Sequence, residues 1–258
     1  MNALLADPGL AVIDRIANRY ERYPARPAPS GSRLGSIMGR ERRRRLAPPP
    51  APSAMVNSAA YADVPRNRTI IGVDISGFGR RDVHVQNYVR KAMYEVLRQG
   101  FADTGIRWPD PMWWEDRGDG VLLTLSSEVP TLWVFDPLIP HIGAGLRRHN
   151  KVSSDAAQLR LRMAVTAGYV HRDEHGLAGE ALVRLARLLD APAFRAAVIA
   201  ERATLGLIVS RFVYEYVIRP GLGLVNPDSY RKLLVENKET TTEAWLHFPI
   251  QTELAHRL

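Results

Sequence analysis

Residues 69–73 (TIIGV) restrict the possible fold more than any other segment, because they form a short apolar, β-branched run that ends at Asp74. Such a run predicts a buried β-strand. Residues 75–79 (ISGFG) follow it and predict a glycine-containing turn. From Asp82 to Phe101, apolar residues recur every three or four positions, which predicts a helix. The folded part of the chain therefore begins with a strand, a tight turn and a helix.

Further patterns complete the expected fold. Residues 112–115 and 121–125 flank the sequence RGDG at 117–120, and two strands joined by an Asp-Gly turn predict a β-hairpin. The next segments predict a helix from Pro130 to about His149, a strand at 159–165 with one solvent-exposed face, and a helix at 180–189. The remaining segments predict a strand at 207–209, a helix at 212–218 capped by Ser210, and a strand pair at 232–235 and 243–248. We therefore expect an α+β domain with a ferredoxin-like βαββαβ core and extra C-terminal helices and strands.

Proline and charge divide the chain into two parts. Residues 1–55 hold 8 of the 18 prolines and 10 arginines against 4 acidic residues, and four of these arginines form the run 42–45. Such a segment cannot bury a core, so we expect residues 1–66 to be a disordered tail or a polyproline-like linker, and 67–258 to be the folded domain. Three interpretations of this segment stay open. It is a solvated tail, it is a tail that attracts phosphate or membrane, or the true start of the chain is Met55.

Composition excludes several classes of protein. The 258 residues include no cysteine, which excludes disulfides, thiolate metal sites and cysteine nucleophiles. The net charge is +8, but residues 56–258 hold 25 basic and 23 acidic groups, so we expect no nucleic-acid binding by the folded domain. No stretch approaches 18 consecutive apolar residues, and the first 30 residues lack a secretory signal. We therefore expect a cytoplasmic protein without a membrane span.

Two acidic residues stand where the predicted topology brings strand ends together. Asp74 ends the first strand, and Asp119 lies at the tip of the hairpin that neighbours this strand in a β-α-β-β arrangement. Paired carboxylates can hold Mg²⁺ or Mn²⁺, with phosphates as the remaining ligands. The turn at 76–79 offers backbone N–H groups ahead of a helix, where a triphosphate fits. Each acid alone is typical of a helix cap or a hairpin turn, whereas the two together favour a metal site.

These motifs resemble those of the class III nucleotide cyclases. Residues 72–78 (GVDISGF) look like the first metal motif of that family, and residues 117–120 (RGDG) look like the second. Residues 185–188 (LARL) resemble the end of its transition-state helix motif. Residues 235–238 (VENK), followed by Ala244 and Trp245, resemble its closing hairpin. The resemblance covers residues 66–250, which is nearly all of the expected folded part.

The resemblance implies a stand-alone enzyme that converts a nucleoside triphosphate to a 3′,5′-cyclic nucleotide and pyrophosphate with two divalent ions, Mg²⁺ or Mn²⁺. It implies Asp74, Asp119 and the carbonyl of Ile75 as metal ligands. It also implies Arg187 as the group that stabilises charge at the α-phosphate, and Lys238 as a ligand of the terminal phosphates. Because these two residues act across a dimer interface in the family, a head-to-tail homodimer with shared sites is implied. Similar enzymes make cyclic pyrimidine nucleotides in bacterial antiphage defence.

One position departs from the family pattern. The family's helix carries Asn four residues before the catalytic Arg, where it holds the ribose oxygen, and this chain has Val183 there. Either Arg184 or a water takes that role, or the enzyme is slow or inactive. Two other functions therefore stay open. One is a catalytically silent domain that acts as a nucleotide sensor or dimerisation module, and the other is a tail that binds RNA, DNA or anionic lipid.

Glu115 is the candidate for base recognition, because the family reads the base partly through the residue four before the hairpin Asp. A carboxylate only accepts hydrogen bonds, guanine and uracil offer ring N–H donors, and N1 of adenine is an acceptor. We therefore expect GTP or UTP to be preferred, CTP to be possible through its amino group, and ATP to be poorer. The alternative is that Glu115 pairs with Arg117 and never meets the base. The full set of nucleotide-binding candidates is Ser76, Gly77, Phe78, Gly79, Glu115 and Arg184.

Overall fold

The computed structural model describes residues 64–109, 113–238 and 240–251. The chain divides into two units, Met1–Tyr61 and Ala62–Leu258, and the described residues all belong to the second. The tail expected at 1–66 lies almost entirely outside the described residues, so its disorder stays a prediction. Within the described ranges, no helix is both long enough and apolar enough to cross a membrane.

The strands and helices follow the predicted order with a few additions. The strands are β1 (Arg66–Ile75), β2 (Trp114–Asp116), β3 (Gly120–Thr124), β4 (Leu161–Asp173), β5 (Gly176–Ala178), β6 (Ala203–Ser210), β7 (Arg231–Asn237) and β8 (Thr240–Gln251). The longer helices are α1 (Val83–Asp103), α2 (Ile139–Val152), α3 (Glu180–Leu189) and α4 (Pro192–Ala200). Shorter helical segments are Phe78–Arg80, Val134–Leu138, Asp155–Ala157, Arg211–Val213, Tyr214–Ile218 and Pro227–Ser229. The sequence patterns gave no sign of β5 or α4.

The described strands form one eight-stranded sheet, with the order β2-β3-β1-β4-β6-β8-β7 and with β5 paired to β4. β1 is antiparallel to β3 on one side and to β4 on the other. The β2-β3-β1-β4 part has the order of a ferredoxin-like core, which confirms the predicted fold class. β6 continues the sheet parallel to β4, and the β7-β8 hairpin extends it further.

Helices cover both faces of this sheet. β1 contributes Ile71, Val73 and Ile75 to the core beneath α1 and α2, and Ile70 to the core beneath α3 and α4. This division explains why the strand reads as a continuous apolar run. Because side chains alternate along a strand, the side chain of Asp74 lies on the α3-α4 face, with that of Ile70.

β4 corrects the prediction of a strand with one solvent-exposed face. Arg160 is exposed, but every residue from 161 to 166 is buried, including Arg162 with an exposed fraction of 8%. The strand lies between β1 and β6 and is covered on both faces. The alternation of arginine with apolar residues was therefore a misleading signal, because Arg162 finds its charge partner on the neighbouring strand.

The helix predicted from Pro130 is interrupted near its start. Helical residues begin at Leu132, the π-helical segment Val134–Leu138 follows, and regular α-helix continues from Ile139. Asp136 within this segment has an extended conformation, with φ −144° and ψ 103°. Pro137 accounts for the interruption, because a proline disfavours helical geometry in the residue before it and has no N–H to donate.

The hairpin between β2 and β3 brings Asp119 next to β1. Asp74 pairs with Gly120 in the register of β1 and β3, and the Ile75 N–H donates to the Asp119 carbonyl at 2.9 Å. A β-carbon at Gly120 would clash with the Val73 carbonyl oxygen. Glycine at this position therefore permits the close approach of the hairpin to the strand that carries Asp74.

We predict that Gly120→Ala destabilises the domain, since the added methyl group meets backbone that cannot move without disturbing β1. A cost of about 1–3 kcal/mol is expected. Thermal unfolding followed by circular dichroism measures it. The matched control is Gly79→Ala, because a β-carbon there meets nothing within 4 Å. Equal melting temperatures for the two variants would contradict the argument.

Candidate active site

Both acids predicted to bind metal line one cavity of about 300 Å³. Its walls come from β1, the β2-β3 hairpin, α3 and the start of α4. The acidic residues that line it are Asp74, Asp119 and Asp190, the basic residues are Arg117 and Arg195, and the apolar side chains of α3 are Leu182, Leu185, Ala186 and Leu189. A cavity lined both by charged groups and by an apolar helix face can hold a polar ligand that has a less polar ring.

Asp74 is held by a buried ion pair. Arg162 lies opposite it in the register of β1 and β4, and its Nε and Nη2 groups donate to the two carboxylate oxygens at 2.8 and 2.7 Å. Both side chains are only about one tenth exposed. This two-point contact orients the carboxylate, and each oxygen keeps a second lone pair for another ligand.

The pKa of Asp74 is raised to about 6, mainly by burial and in smaller part by the nearby charge of Asp119. The charge and hydrogen bonds of Arg162, together with the charge of Arg195, act in the opposite direction. Asp74 is therefore mostly ionised at pH 7 although it is buried.

Asp119 is exposed at the hairpin tip, and its carboxylate has no hydrogen-bond donor among the described residues. No group of three or more His, Asp or Glu side chains in the described ranges is placed to hold a metal ion. The protein therefore offers two carboxylates and the Ile75 carbonyl. This donor set fits Mg²⁺ or Mn²⁺, which prefer oxygen ligands and often take the remainder from substrate phosphates.

The turn at 76–79 has open backbone donors. The Ser76 N–H donates to the Arg160 carbonyl at 2.9 Å, whereas the N–H groups of Gly77, Phe78 and Gly79 have no acceptor among the described residues. The N-terminus of α1 itself is already capped, because the Asp82 carboxylate accepts from the first N–H groups of that helix. Any phosphate would therefore meet the turn and not the helix end.

Arg187 and Lys238 do not line the cavity that holds the two acids. They lie near each other, because the Asn237 side chain donates to the Arg187 carbonyl at 2.9 Å. Arg187 is half-buried in the last turn of α3, and Lys238 is exposed at the β7-β8 turn with φ 53°. The described domain thus separates the two predicted cations from the two predicted metal ligands.

Glu115 pairs with Arg117, which is the contact considered above as the alternative to base recognition. One of its carboxylate oxygens accepts from the Arg117 side chain at 2.8 Å, and the other accepts from the Leu177 N–H of β5 at 2.7 Å. A β-carbon at Gly176 would lie 2.6 Å from the same carboxylate, so glycine lets β5 approach it. Each oxygen of Glu115 keeps a second lone pair, and base recognition by this residue stays a prediction.

The helix position at which the family has Asn lies in a separate groove. Val183 is 53% exposed, and it lines the groove together with Arg184, Phe212 and Tyr216. The rings of Phe212 and Tyr216 lie 4.9 Å apart. Arg184 donates to Glu180 at 2.7 Å on the same helix, and neither residue lines the cavity of Asp74 and Asp119.

Sequence reasoning missed three charged residues of the site. Arg162 was interpreted as solvent-exposed, and its pairing with Asp74 joins residues 88 positions apart. Asp190 and Arg195 form an ion pair beside the cavity, and α4, which carries Arg195, was not predicted. The signal that could have found α4 was Pro192, which is typical of the first turn of a helix.

Comparisons with known proteins identify the fold. No protein-family model matches the chain, and no curated protein matches its sequence. Among solved structures, the guanylyl cyclase Cya2 superposes with a TM-score of 0.51 over 75% of this chain and 98% of its own, at 12% identity. The domain has the nucleotide cyclase fold. An adenylate/guanylate cyclase/hydrolase from Silicibacter pomeroyi is also similar, with a TM-score of 0.49 and 16% identity over 72% of this chain and 98% of its own. The guanylate cyclase domain of RhGC from Catenaria anguillulae, in complex with GTP, has a TM-score of 0.48 and 14% identity over 72% of this chain and 97% of its own.

We predict that Arg162→Met destabilises this cyclase-like domain by about 3–5 kcal/mol, because it leaves the Asp74 carboxylate buried without its partner. The double variant Asp74→Leu/Arg162→Met should recover most of that loss, since it removes both charges. Urea unfolding of both single variants and the double variant measures the coupling. Arg184→Met is the control: it breaks a surface pair with Glu180 and should cost less than about 1 kcal/mol. Additive effects of the two buried substitutions would contradict the prediction.

Proposed function

We propose that the protein is a nucleotide cyclase that converts a nucleoside triphosphate to a 3′,5′-cyclic nucleotide and pyrophosphate. The observation that carries this proposal is the position of Asp74 and Asp119 at adjacent strand ends in one cavity. The nucleotide cyclase fold supports it independently of those two residues. Apart from paired carboxylates, the cavity offers an apolar helix face for the nucleoside and basic side chains for phosphate.

Asp74, Asp119 and the Ile75 carbonyl are the residues that would hold Mg²⁺ or Mn²⁺, two ions per site by resemblance to the family. Bound there, the metal supplies acidity to the ribose 3′-hydroxyl and neutralises phosphate charge. Arg162 fixes the orientation of Asp74 and keeps it ionised in a buried position. The open N–H groups of the turn at 76–79 lie beside β1, where they can receive phosphate oxygens.

In the proposed reaction, the 3′-oxygen forms a bond to the α-phosphorus as the bond from that phosphorus to the bridging oxygen of the β-phosphate breaks. The 3′-hydroxyl proton passes to solvent, and pyrophosphate leaves with the electron pair of the broken bond. Negative charge develops on the α-phosphate oxygens, where cationic side chains stabilise the transition state. Arg195 and Arg117 line the cavity of the same chain, and we assign Arg187 and Lys238 to the cavity of a second chain.

We predict that Asp119→Asn abolishes cyclic product with Mn²⁺ present and leaves the melting temperature nearly unchanged, because the Asp119 side chain is exposed and forms no described hydrogen bond. Product mass analysis after incubation with ATP, GTP, CTP and UTP measures activity. Removing the metal with EDTA should abolish product in the same assay. Asp155→Asn, which changes an exposed acid in the turn Asp155–Ala157, is the control. Full activity of the Asp119 variant would overturn the metal-site assignment.

The separation of the two charge sets supports the proposal of a homodimer with shared sites. Arg187 and Lys238 lie near the groove formed by α3, the helical segment that starts at Arg211 and the start of β8, and away from the acidic cavity. Exposed apolar side chains occur on this side of the domain, including Val183, Phe212 and Tyr216. A surface of this kind favours protein association, and a second copy would place its cations over the first chain's acids.

We therefore predict complementation between inactive variants. Asp119→Asn and Arg187→Ala should each be inactive alone, whereas a mixture in which subunits exchange should regain about a quarter of wild-type activity, because half of the dimers are mixed and each has one intact site. Exchange is verified by mass spectrometry of differently labelled chains. If exchange occurs and the mixture stays inactive, the shared-site arrangement is wrong.

Base choice gives a further prediction for the same site. Because a carboxylate at 115 accepts from the ring N–H of guanine or uracil and faces a lone pair of adenine, wild type should use GTP or UTP at least about tenfold better than ATP. Glu115→Lys should shift use toward ATP. Arg117→Ala, which releases one oxygen of Glu115, should keep the wild-type order. A preference that Glu115→Lys leaves unchanged would show that Glu115 serves only its contacts with Arg117 and β5.

A pyrimidine preference in this competition would support a role in antiphage defence, where cyclic pyrimidine nucleotides act as messengers. The second candidate function is a catalytically silent domain that senses nucleotide or mediates dimerisation, and Val183 in place of Asn favours it. The two functions differ in one result. A silent sensor binds nucleoside triphosphate with Mn²⁺ in calorimetry but forms no cyclic product with any of the four bases.

A further inference from the structure

A second cavity of about 430 Å³ lies near the start of β1 and is walled by tryptophans. Trp108, Trp113 and Trp133 line it, together with Arg68 from β1 and Val129 from the segment that follows β3. The three rings offer flat apolar surfaces, on which planar ligands stack. None of the residues predicted to bind metal or nucleotide lines this cavity.

Arg68 is a buried cation within the described domain that has no carboxylate partner among the described residues. It is 8% exposed, and its only described hydrogen bond runs from Nη1 to the Leu125 carbonyl at 3.1 Å. Its Nε is buried without an acceptor. The guanidinium stacks 3.6 Å from the centre of the Trp113 ring. Burial lowers the pKa of Arg68 to about 10, so the side chain still carries its charge at neutral pH.

Trp108 contributes a second donor without an acceptor. Its indole Nε1 is buried and has no hydrogen-bond partner in the described part of the chain. The ring is fixed from outside the cavity by Phe101, at 5.1 Å between ring centres, and by the guanidinium of Arg98 at 4.7 Å. Buried donors usually have acceptors, so two such donors on one cavity indicate a missing acceptor.

The charges around the cavity favour an anion. Arg68 and Arg107 line it, and the charge of Arg66 acts on Arg68 from the same strand. Among the described residues of the lining, the acidic one is Glu128, and it is exposed. A ligand that brings a negative charge would therefore neutralise a buried arginine, while its ring stacks on tryptophan.

This cavity is distinct from the candidate active site. Arg68 and Asp74 are both on β1 and are separated by six positions, which corresponds to about 20 Å along an extended strand. The two cavities share no lining residue.

We propose that the tryptophan-walled cavity is a binding site for a small planar aromatic anion, such as an aromatic carboxylate, whose ring stacks on tryptophan and whose charged oxygens accept from Arg68 and Trp108. The site is independent of the proposed cyclase activity. It gives the domain a second small-molecule ligand, remote from the acids of the candidate active site.

The test uses 4-fluorobenzoate as the probe and the full chain as the protein, with binding followed by ¹⁹F NMR. Wild type should bind the probe with a dissociation constant below about 10 mM, and the neutral analogue 4-fluorobenzamide should bind at least about tenfold more weakly. UTP with Mn²⁺ should not displace the probe. Displacement by UTP would place the probe in the candidate active site and overturn the proposal, and so would the absence of binding.

Variants locate the site. Arg68→Lys keeps the charge but loses the forked donor group, and it should weaken binding at least about tenfold. Arg98→Met is the matched control: it removes the cation stacked on Trp108 from outside the cavity, and it should bind as wild type does. Glu128→Gln removes the acid of the lining and should strengthen binding about twofold to threefold.

If Arg68→Lys does not fold, Val129→Trp decides the matter, because a larger side chain on the cavity wall fills the space and leaves Arg68 in place. It should abolish binding of 4-fluorobenzoate while the melting temperature stays close to that of wild type. Unchanged binding in Val129→Trp, or in a folded Arg68→Lys variant, would show that the probe binds elsewhere.

Discussion

The buried pair of Asp74 and Arg162 determines what the centre of this domain can do. It joins β1 to β4 at their facing ends, and both side chains are about one tenth exposed. Buried ion pairs contribute little net stability, because desolvation offsets their attraction. The main consequence here is therefore positional: a charged carboxylate is kept beside a cavity that also holds Asp119. The approach of the hairpin to β1, made possible by Gly120, completes the arrangement.

Much of the fold could be predicted, because its signals are local. The buried run of β1, the spacing of α1, the Asp-Gly hairpin and the boundaries of α3 each depend on neighbouring residues. The exposed face predicted for β4 was wrong, since the environment of Arg162 depends on a strand 88 residues away. The π-helical interruption before α2 and the presence of α4 were missed because propensity gives only weak evidence about short or interrupted helices.

Part of the candidate site was also predictable, because it too depends on local signals. Asp74 and Asp119 end neighbouring strands, so topology alone was enough to bring them together. The resemblance that pointed to Arg187 and Lys238 could not show which cavity they serve, and neither residue lines the cavity that holds both acids. Arg195 enters the cavity from a helix that no pattern indicated. A shared dimeric site accounts for this distribution of charge with one assumption, the presence of a second copy.

The most direct test of this account is an anomalous diffraction measurement at the manganese edge. Crystals of the full chain would be grown with Mn²⁺ and a nucleoside triphosphate whose α-β bridge is methylene, so that no pyrophosphate can leave. The account predicts anomalous peaks between the carboxylates of Asp74 and Asp119, in contact with the phosphates, and a nucleoside in the cavity beside α3. A bound nucleotide with no manganese between the two acids would contradict it.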